Sequence, residues 1–179
     1  MFLSRFLLAP ISRLPSGAAA ALGRSAATLA THPNPMWKRT AIQGTGVGVK
    51  FTATADKHTV VTDEPVKLGG TDSATTPLHT LLVALCGCEQ ATAAFISKKL
   101  GFTIDSIDMQ IEGELDVRGI IGVESVPARF QTVRGTALVK TSASQEQIDG
   151  LKKEVMLKCP IANLFTAAGV KMEVEWRKA

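Results

Sequence analysis

Three cysteines, Cys86, Cys88 and Cys159, are the side chains of this 179-residue sequence best suited to covalent chemistry. Cys159 stands between Lys158 and Pro160. Proline carries the fixed φ of a first helical turn, so Cys159 is predicted at a helix N-cap. There, unpaired amides and the positive end of the helix dipole favour a thiolate, and Lys158 adds charge in the same sense. Cys88 lies in an apolar run together with Cys86, Gly87 and a single carboxylate, Glu89. On a helix, Cys86 and Cys88 point roughly 200° apart, so they do not bridge easily within it. The pairing of interest is therefore Cys88 with Cys159.

If those two sulfurs meet, they form either a redox couple or half of a metal site. In a redox couple, a thiolate attacks the distal oxygen of a peroxide and becomes a sulfenic acid, which condenses with the second thiol to a disulfide. Preference for organic hydroperoxides requires an apolar pocket around the attacking sulfur, and Leu81, Leu85 and Phe95 suit it. A metal site would draw on Cys86 or Cys88, Cys159 and His79. With no Cys-x-x-Cys and two diverging helical thiols, neither a metal nor a cofactor is expected. Glu89 reads as a buried or half-buried acid paired with a surface lysine, or as a group that sets the field at the thiol. Cys86 reads as packing. His58 and His79 receive no role.

The elements that must position the thiols follow from pattern. Thr76 caps and Pro77 opens a long helix that runs to Leu100 and stops at Gly101. Leu78, Leu81, Leu85, Thr92, Phe95 and Ile96 share one arc, and the rest is so apolar that the helix is expected inside a two-layer domain or at a dimer interface. Before it, alternation predicts strands over residues 38–43, 47–55 and 58–62, the first two joined at Gly44-Thr45-Gly46, then a loop over 63–76. After it, residues 104–117 and 130–139 form a long hairpin. Ser144 and Gln147 make a capping box for a helix with Ile148, Leu151 and Val155 on one face, ending at Lys158. Pro160 opens a second helix that buries Ile161, Leu164, Phe165 and Ala168 and closes at Gly169. Residues 170–176 form the last strand. The class is α+β.

Composition narrows the function. An apolar content of 45 % supports one domain with a substantial core, and three cysteines are too few for a disulfide scaffold. Residues 1–35 hold Arg5, Arg13 and Arg24 and no acid, the first acid being Asp56. Removing those three from 20 basic residues leaves 17 against 16 acids, a nearly neutral domain that argues against nucleic acid. Tyrosine is absent and base-stacking surfaces are few. The leader, rich in Ala, Ser and Arg with Phe2, Leu3, Phe6 and Leu7 at helical spacing, is predicted to be a mitochondrial transit peptide, leaving a domain over residues 36–179. No stretch is predicted long enough to span a membrane.

Gly69-Gly70-Thr71-Asp72, Thr76-Pro77 followed by Leu-Leu-Val-Ala-Leu-Cys-Gly-Cys, Lys158-Cys159-Pro160-Ile161 and a closing Val-Lys-Met-Glu-Val strand resemble the OsmC/Ohr family of thiol peroxidases. The resemblance runs from Met36 to the C-terminus. It implies an OsmC-like fold, with antiparallel sheets wrapped around a long central helix in an intertwined homodimer. It further implies reduction of organic hydroperoxides and hydrogen peroxide, with Cys88 as peroxidatic and Cys159 as resolving cysteine, regenerated by a small or protein dithiol. The chain departs from the best-studied members at two places. Their glutamate just after the helix-opening proline is replaced by Leu78 and His79, and the early hairpin, where they carry an arginine, offers only Lys50. A non-catalytic OsmC-like dimer that binds a small apolar ligand is the alternative reading.

Overall fold

The computed structural model describes Asn34 and residues 36–179. The expected transit peptide over residues 1–35 lies outside the described residues, Asn34 excepted. Ala41–Ala179 form one compact unit. Its elements are strands β1 (Gln43–Val47), β2 (Lys50–Ala55) and β3 (His58–Thr62), helix α1 (Pro77–Lys99), β4 (Ser106–Glu114), the short α2 (Val117–Ile120), β5 (Thr132–Lys140), α3 (Gln145–Lys158), α4 (Pro160–Ala167) and β6 (Lys171–Lys178). The α+β class is as expected. The first three strands make an antiparallel sheet in chain order, and β4, β5 and β6 make a second. In the second sheet β6 runs parallel to β5, because α3 and α4 carry the chain back across one face.

The first hairpin turns later than the sequence suggested. Gly44, Thr45 and Gly46 lie inside β1, paired with Ala53, Thr52 and Phe51, and residues 38–42 form no strand. Gly48, at φ 61°, supplies the left-handed conformation of the turn. Gly44 is there for space: a Cβ would fall 2.6 Å from the Thr52 carbonyl oxygen and 2.7 Å from the Phe51 ring.

Helix α1 begins as its cap predicts, with the His79 amide donating to Thr76 Oγ1 at 3.3 Å, and Gly101 follows it at φ 82°. Its 23 residues are long and apolar enough to cross a membrane by length and composition alone, contrary to the sequence reading. Yet it packs on α3, α4 and β4 and buries Glu89, as a central helix of a globular unit does. The buried stripe is Leu85, Glu89, Ala93 and Ile96. The arc expected to be inside is instead split: Leu85 and Ile96 are buried, while Leu78, Leu81 and Phe95 are 43 %, 42 % and 61 % exposed. An all-apolar helix gives no contrast from which to choose a face.

The core lies between this stripe, the inner faces of α3 and α4, and the sheet. The capping box on Ser144 and Gln147 forms as expected, and Ile148, Leu151 and Val155 are fully buried. In α4, Phe165 is buried, whereas Leu164 is 65 % exposed, a second departure from the predicted face. Phe165 stacks on Phe130 with ring centroids 6.2 Å apart.

The loop between β3 and α1 is more ordered than its composition implied. The buried Asp63 carboxylate accepts from the amides of Glu64, Thr71 and Ser73 and from both the Thr71 and Ser73 hydroxyls, at 2.6–3.1 Å. These bonds hold its acid strength well beyond the usual carboxylate range. Gly70 fits beneath because a Cβ would strike the Glu64 carbonyl. Asp63→Ala is expected to lower the melting temperature. Because the folded carboxyl ionises at lower pH than the unfolded one, the deficit holds at neutral pH and narrows only below about pH 4, which thermal melts across pH will check.

Candidate functional site

Pro160 has no amide with which to continue α3, and it pushes Cys159 out of the helical region to φ −76°, ψ 114°. Cys159 therefore serves both helices. Its amide donates to the Val155 carbonyl at 2.8 Å, and its carbonyl accepts from the Asn163 amide at 3.0 Å. Asn163, to which the sequence reading gave no part, stitches the corner: its Nδ2 donates to the carbonyls of Met156, Leu157 and Cys159 at 3.1, 3.3 and 2.9 Å. An asparagine four residues beyond a Cys-Pro is the signal that was available.

Cys159 is wholly buried at this corner. Cys88, half-buried midway along α1, packs against the same core. The two thiols are neighbours in this core, near enough for Cys88 to act on the ionisation of Cys159, and both are free.

The ionisation of Cys159 differs from the N-cap expectation. The Ala162 amide does point at Sγ, at 3.4 Å. Burial nevertheless pushes the thiol up to about 11, the amide offsets only part of this, and the neighbouring Cys88 thiol raises it further. Removing a thiolate from water costs more than one long amide contact returns. Lys158 adds little, because it is ion-paired with Glu154 one turn back.

Glu89 is 1 % exposed. The expected lysine is present only as a neighbouring charge. Lys152 on α3 favours the carboxylate but forms no ion pair with it, and Glu89 Oε1 has no hydrogen-bond partner. Burial outweighs Lys152 and raises Glu89 to about 7. Cys86, three residues earlier on α1, is raised by burial and by the Glu89 charge, consistent with a packing role.

Two hollows open along α1, neither of them lined by Cys88 itself. One, of about 140 Å³, is lined by Leu81, Phe130, Leu164, Phe165, Ala168 and Val170 and by Arg129. The other, of about 340 Å³, is lined by Ala91, Thr92, Phe95, Ile96 and Lys158. Leu81 and Phe95, expected in one pocket around Cys88, border two separate hollows, while Leu85 is core. His79 sits in the first turn of α1, its Nδ1 2.8 Å from Thr76 Oγ1. Among the described residues, no group of three His, Cys, Asp or Glu side chains is placed to hold a metal ion.

A family model described as OsmC-like protein matches residues 70–175, more than half of the chain and both thiols. The chain belongs to the OsmC-like family. Solved structures of the same fold include an OsmC-like protein from Mycoplasma pneumoniae, 21 % identical with a TM-score of 0.69 over 80 % of this chain and 99 % of that one. An organic hydroperoxide resistance protein from Elizabethkingia anophelis is 13 % identical with a TM-score of 0.64, over 82 % and 100 % of the two chains. A Legionella pneumophila protein named as an organic hydroperoxide resistance protein OsmC is 17 % identical with a TM-score of 0.59, over 78 % and 97 %. A search of curated proteins found no match.

In this OsmC-like chain, the positions at which the sequence departs from the best-studied members have other partners. Lys50 Nζ donates to Ser73 Oγ at 2.9 Å and so braces the Asp63 loop. Among the described residues, Glu89 is the one fully buried carboxyl close to the thiols, and its ionisation opposes folding. Its folded-state value lies above the ordinary one, so its neutral form is favoured and stability falls as pH rises from about 4.5 to about 7. Glu89→Gln is expected to gain stability over the parent across that window, by on the order of 3 kcal/mol at its upper end, as read by denaturant melts at pH 4.5 and 8.

Proposed function

We propose that the protein is a thiol-dependent peroxidase that reduces organic hydroperoxides and hydrogen peroxide in oxidative-stress defence. The Cys88–Cys159 contact carries this reading. Cys88, the more accessible thiol, loses its proton and attacks the distal peroxide oxygen. The O–O bond breaks, an alcohol or water leaves, and Cys88 becomes a sulfenic acid. Cys159 then attacks that sulfur. The S–S bond forms as the S–O bond breaks, and water departs. An external dithiol reduces the disulfide and is itself oxidised. An organic peroxide is preferred over an inorganic one, because its apolar part suits the hollows that Leu81 and Phe95 border on the same helix as Cys88.

The working unit of this proposal is a homodimer. Half of α1 is apolar and exposed, with Leu78, Leu81, Val83 and Phe95 on it. The β1–β3 sheet completely buries only Ala53 and exposes Val47, Phe51 and Val60. A second copy laid against α1 would cover both surfaces. Leu81→Glu is expected to shift the protein from dimer to monomer in light scattering. Mitochondrial import belongs to the same proposal and rests on the acid-free, arginine-bearing leader.

The non-catalytic reading draws on the raised Cys159 thiol and on the absent glutamate and arginine. Turnover separates the two. With a dithiol reductant, the parent is expected to consume cumene hydroperoxide. Cys88→Ser is expected to lose at least a hundredfold in rate, and Cys159→Ser to accumulate a dimedone-reactive Cys88. No peroxide consumption by the parent sinks the peroxidase and leaves the binding dimer.

A further inference from the structure

Arg129 owes its place to the residue after it. Phe130 is buried, its ring stacked on Phe165 of α4, so the loop before β5 is pinned beside that helix while Arg129 stays exposed. The guanidinium lies against the end of α4: a Cβ on Gly169 would fall 3.4 Å from Arg129 Nη2. The helix carbonyls there carry the negative end of the dipole and attract a cation, though less than a carboxylate does. Other arginines have stronger company. Arg118, Arg134 and Arg177 are ion-paired with Asp116, with Glu112 and Glu114, and with Glu175. Among the described residues, Arg129 has no ion pair and no hydrogen bond.

Arg129 is also the one charged residue that lines the hollow of about 140 Å³ between α1 and α4, and the other six lining residues are apolar. Two of them, Leu81 and Leu164, are leucines that the helical pattern assigns to buried faces, yet they stand 42 % and 65 % exposed. A lone exposed leucine is ordinary. Two on the wall of one concavity, beside the buried Phe165 and an unpaired guanidinium, make a surface that is apolar over most of its area and cationic at its rim, which suits an amphipathic anion. Volume and charge narrow the ligand. The hollow has about the room of five waters in the liquid, enough for an alkyl chain of roughly five carbons. A single guanidinium, with no second cation lining the hollow, balances one negative charge rather than the nearly two of a phosphate monoester. Its parallel N–H donors match the two oxygens of a carboxylate.

We propose that this hollow is a binding site for a short aliphatic monocarboxylate, its carboxylate held by Arg129 and its chain laid against Leu81, Leu164 and Phe165. The site uses neither thiol and stands whether or not the protein turns over peroxide. Leu81 belongs as well to the α1 face that a second copy would cover, so the bound acid lies at the edge of that interface.

Calorimetric titration of reduced full-length protein with hexanoate, hexan-1-ol and hexylammonium at about pH 7.5, where the guanidinium and the carboxylate are both charged, reads the site directly. Hexanoate is expected to bind saturably, hexan-1-ol to bind roughly tenfold more weakly, and hexylammonium, with the wrong sign of charge, to show no saturable binding. Arg129→Gln is expected to weaken hexanoate by about tenfold or more, through loss of a charge-assisted pair, and to leave hexan-1-ol as in the parent. Leu164→Ala trims the exposed wall and keeps the cation, so it is expected to weaken hexanoate and hexan-1-ol alike, by roughly threefold. Failure of hexanoate to saturate, equal binding of acid and alcohol, or parent-like hexanoate affinity in Arg129→Gln overturns the proposal. Should Arg129→Gln fail to fold, parent-like hexanoate binding in Leu164→Ala overturns it.

Discussion

The corner at Cys159 and Pro160 is the constraint on which the site depends. One residue closes α3, opens α4 and presents a sulfur to α1, because proline ends the hydrogen-bond ladder of one helix while starting another. Asn163 fixes the corner: its side-chain amide donates to the carbonyls of Met156, Leu157 and Cys159, the last of which also accepts from its backbone amide. Without that break, Cys159 would be one more position on a continuous helix. With it, a thiol far along the chain from Cys88 is delivered to the middle of the central helix.

The interior sets the chemistry of the groups it encloses. Helix geometry and flanking charge argue for an easily ionised Cys159, and burial decides otherwise. The same desolvation raises Glu89 despite Lys152 nearby. The Glu89 side chain, costly to ionise, lies in a core of mostly aliphatic and aromatic side chains, so its charged form detracts from stability.

The accessible half of α1 is the other organising feature. Within one chain the helix satisfies only its Leu85–Ile96 stripe and leaves leucines, a valine and a phenylalanine outside. The hollows that Leu81 and Phe95 border open along that same helix, so any surface that covers α1 also covers them.

Local features carried much of this in the sequence. Thr76-Pro77, Ser144 with Gln147, and Cys159-Pro160 placed helix starts correctly, because caps and proline act within a few residues of themselves. The motifs around both thiols sufficed to identify the family. The turn at Gly48, the parallel seat of β6, the five-bond Asp63 hub and the buried face of α1 were not legible there. Each depends on what a distant segment places alongside: the Phe51 ring against Gly44, the α3–α4 crossover, the Thr71 and Ser73 hydroxyls, the stripe chosen by packing. The sequence by itself determined which residues could do chemistry and where helices begin. Only the tertiary structure decided how easily those residues ionise, because the cost of a charge is set by how much water surrounds it, and that is a property of the folded whole.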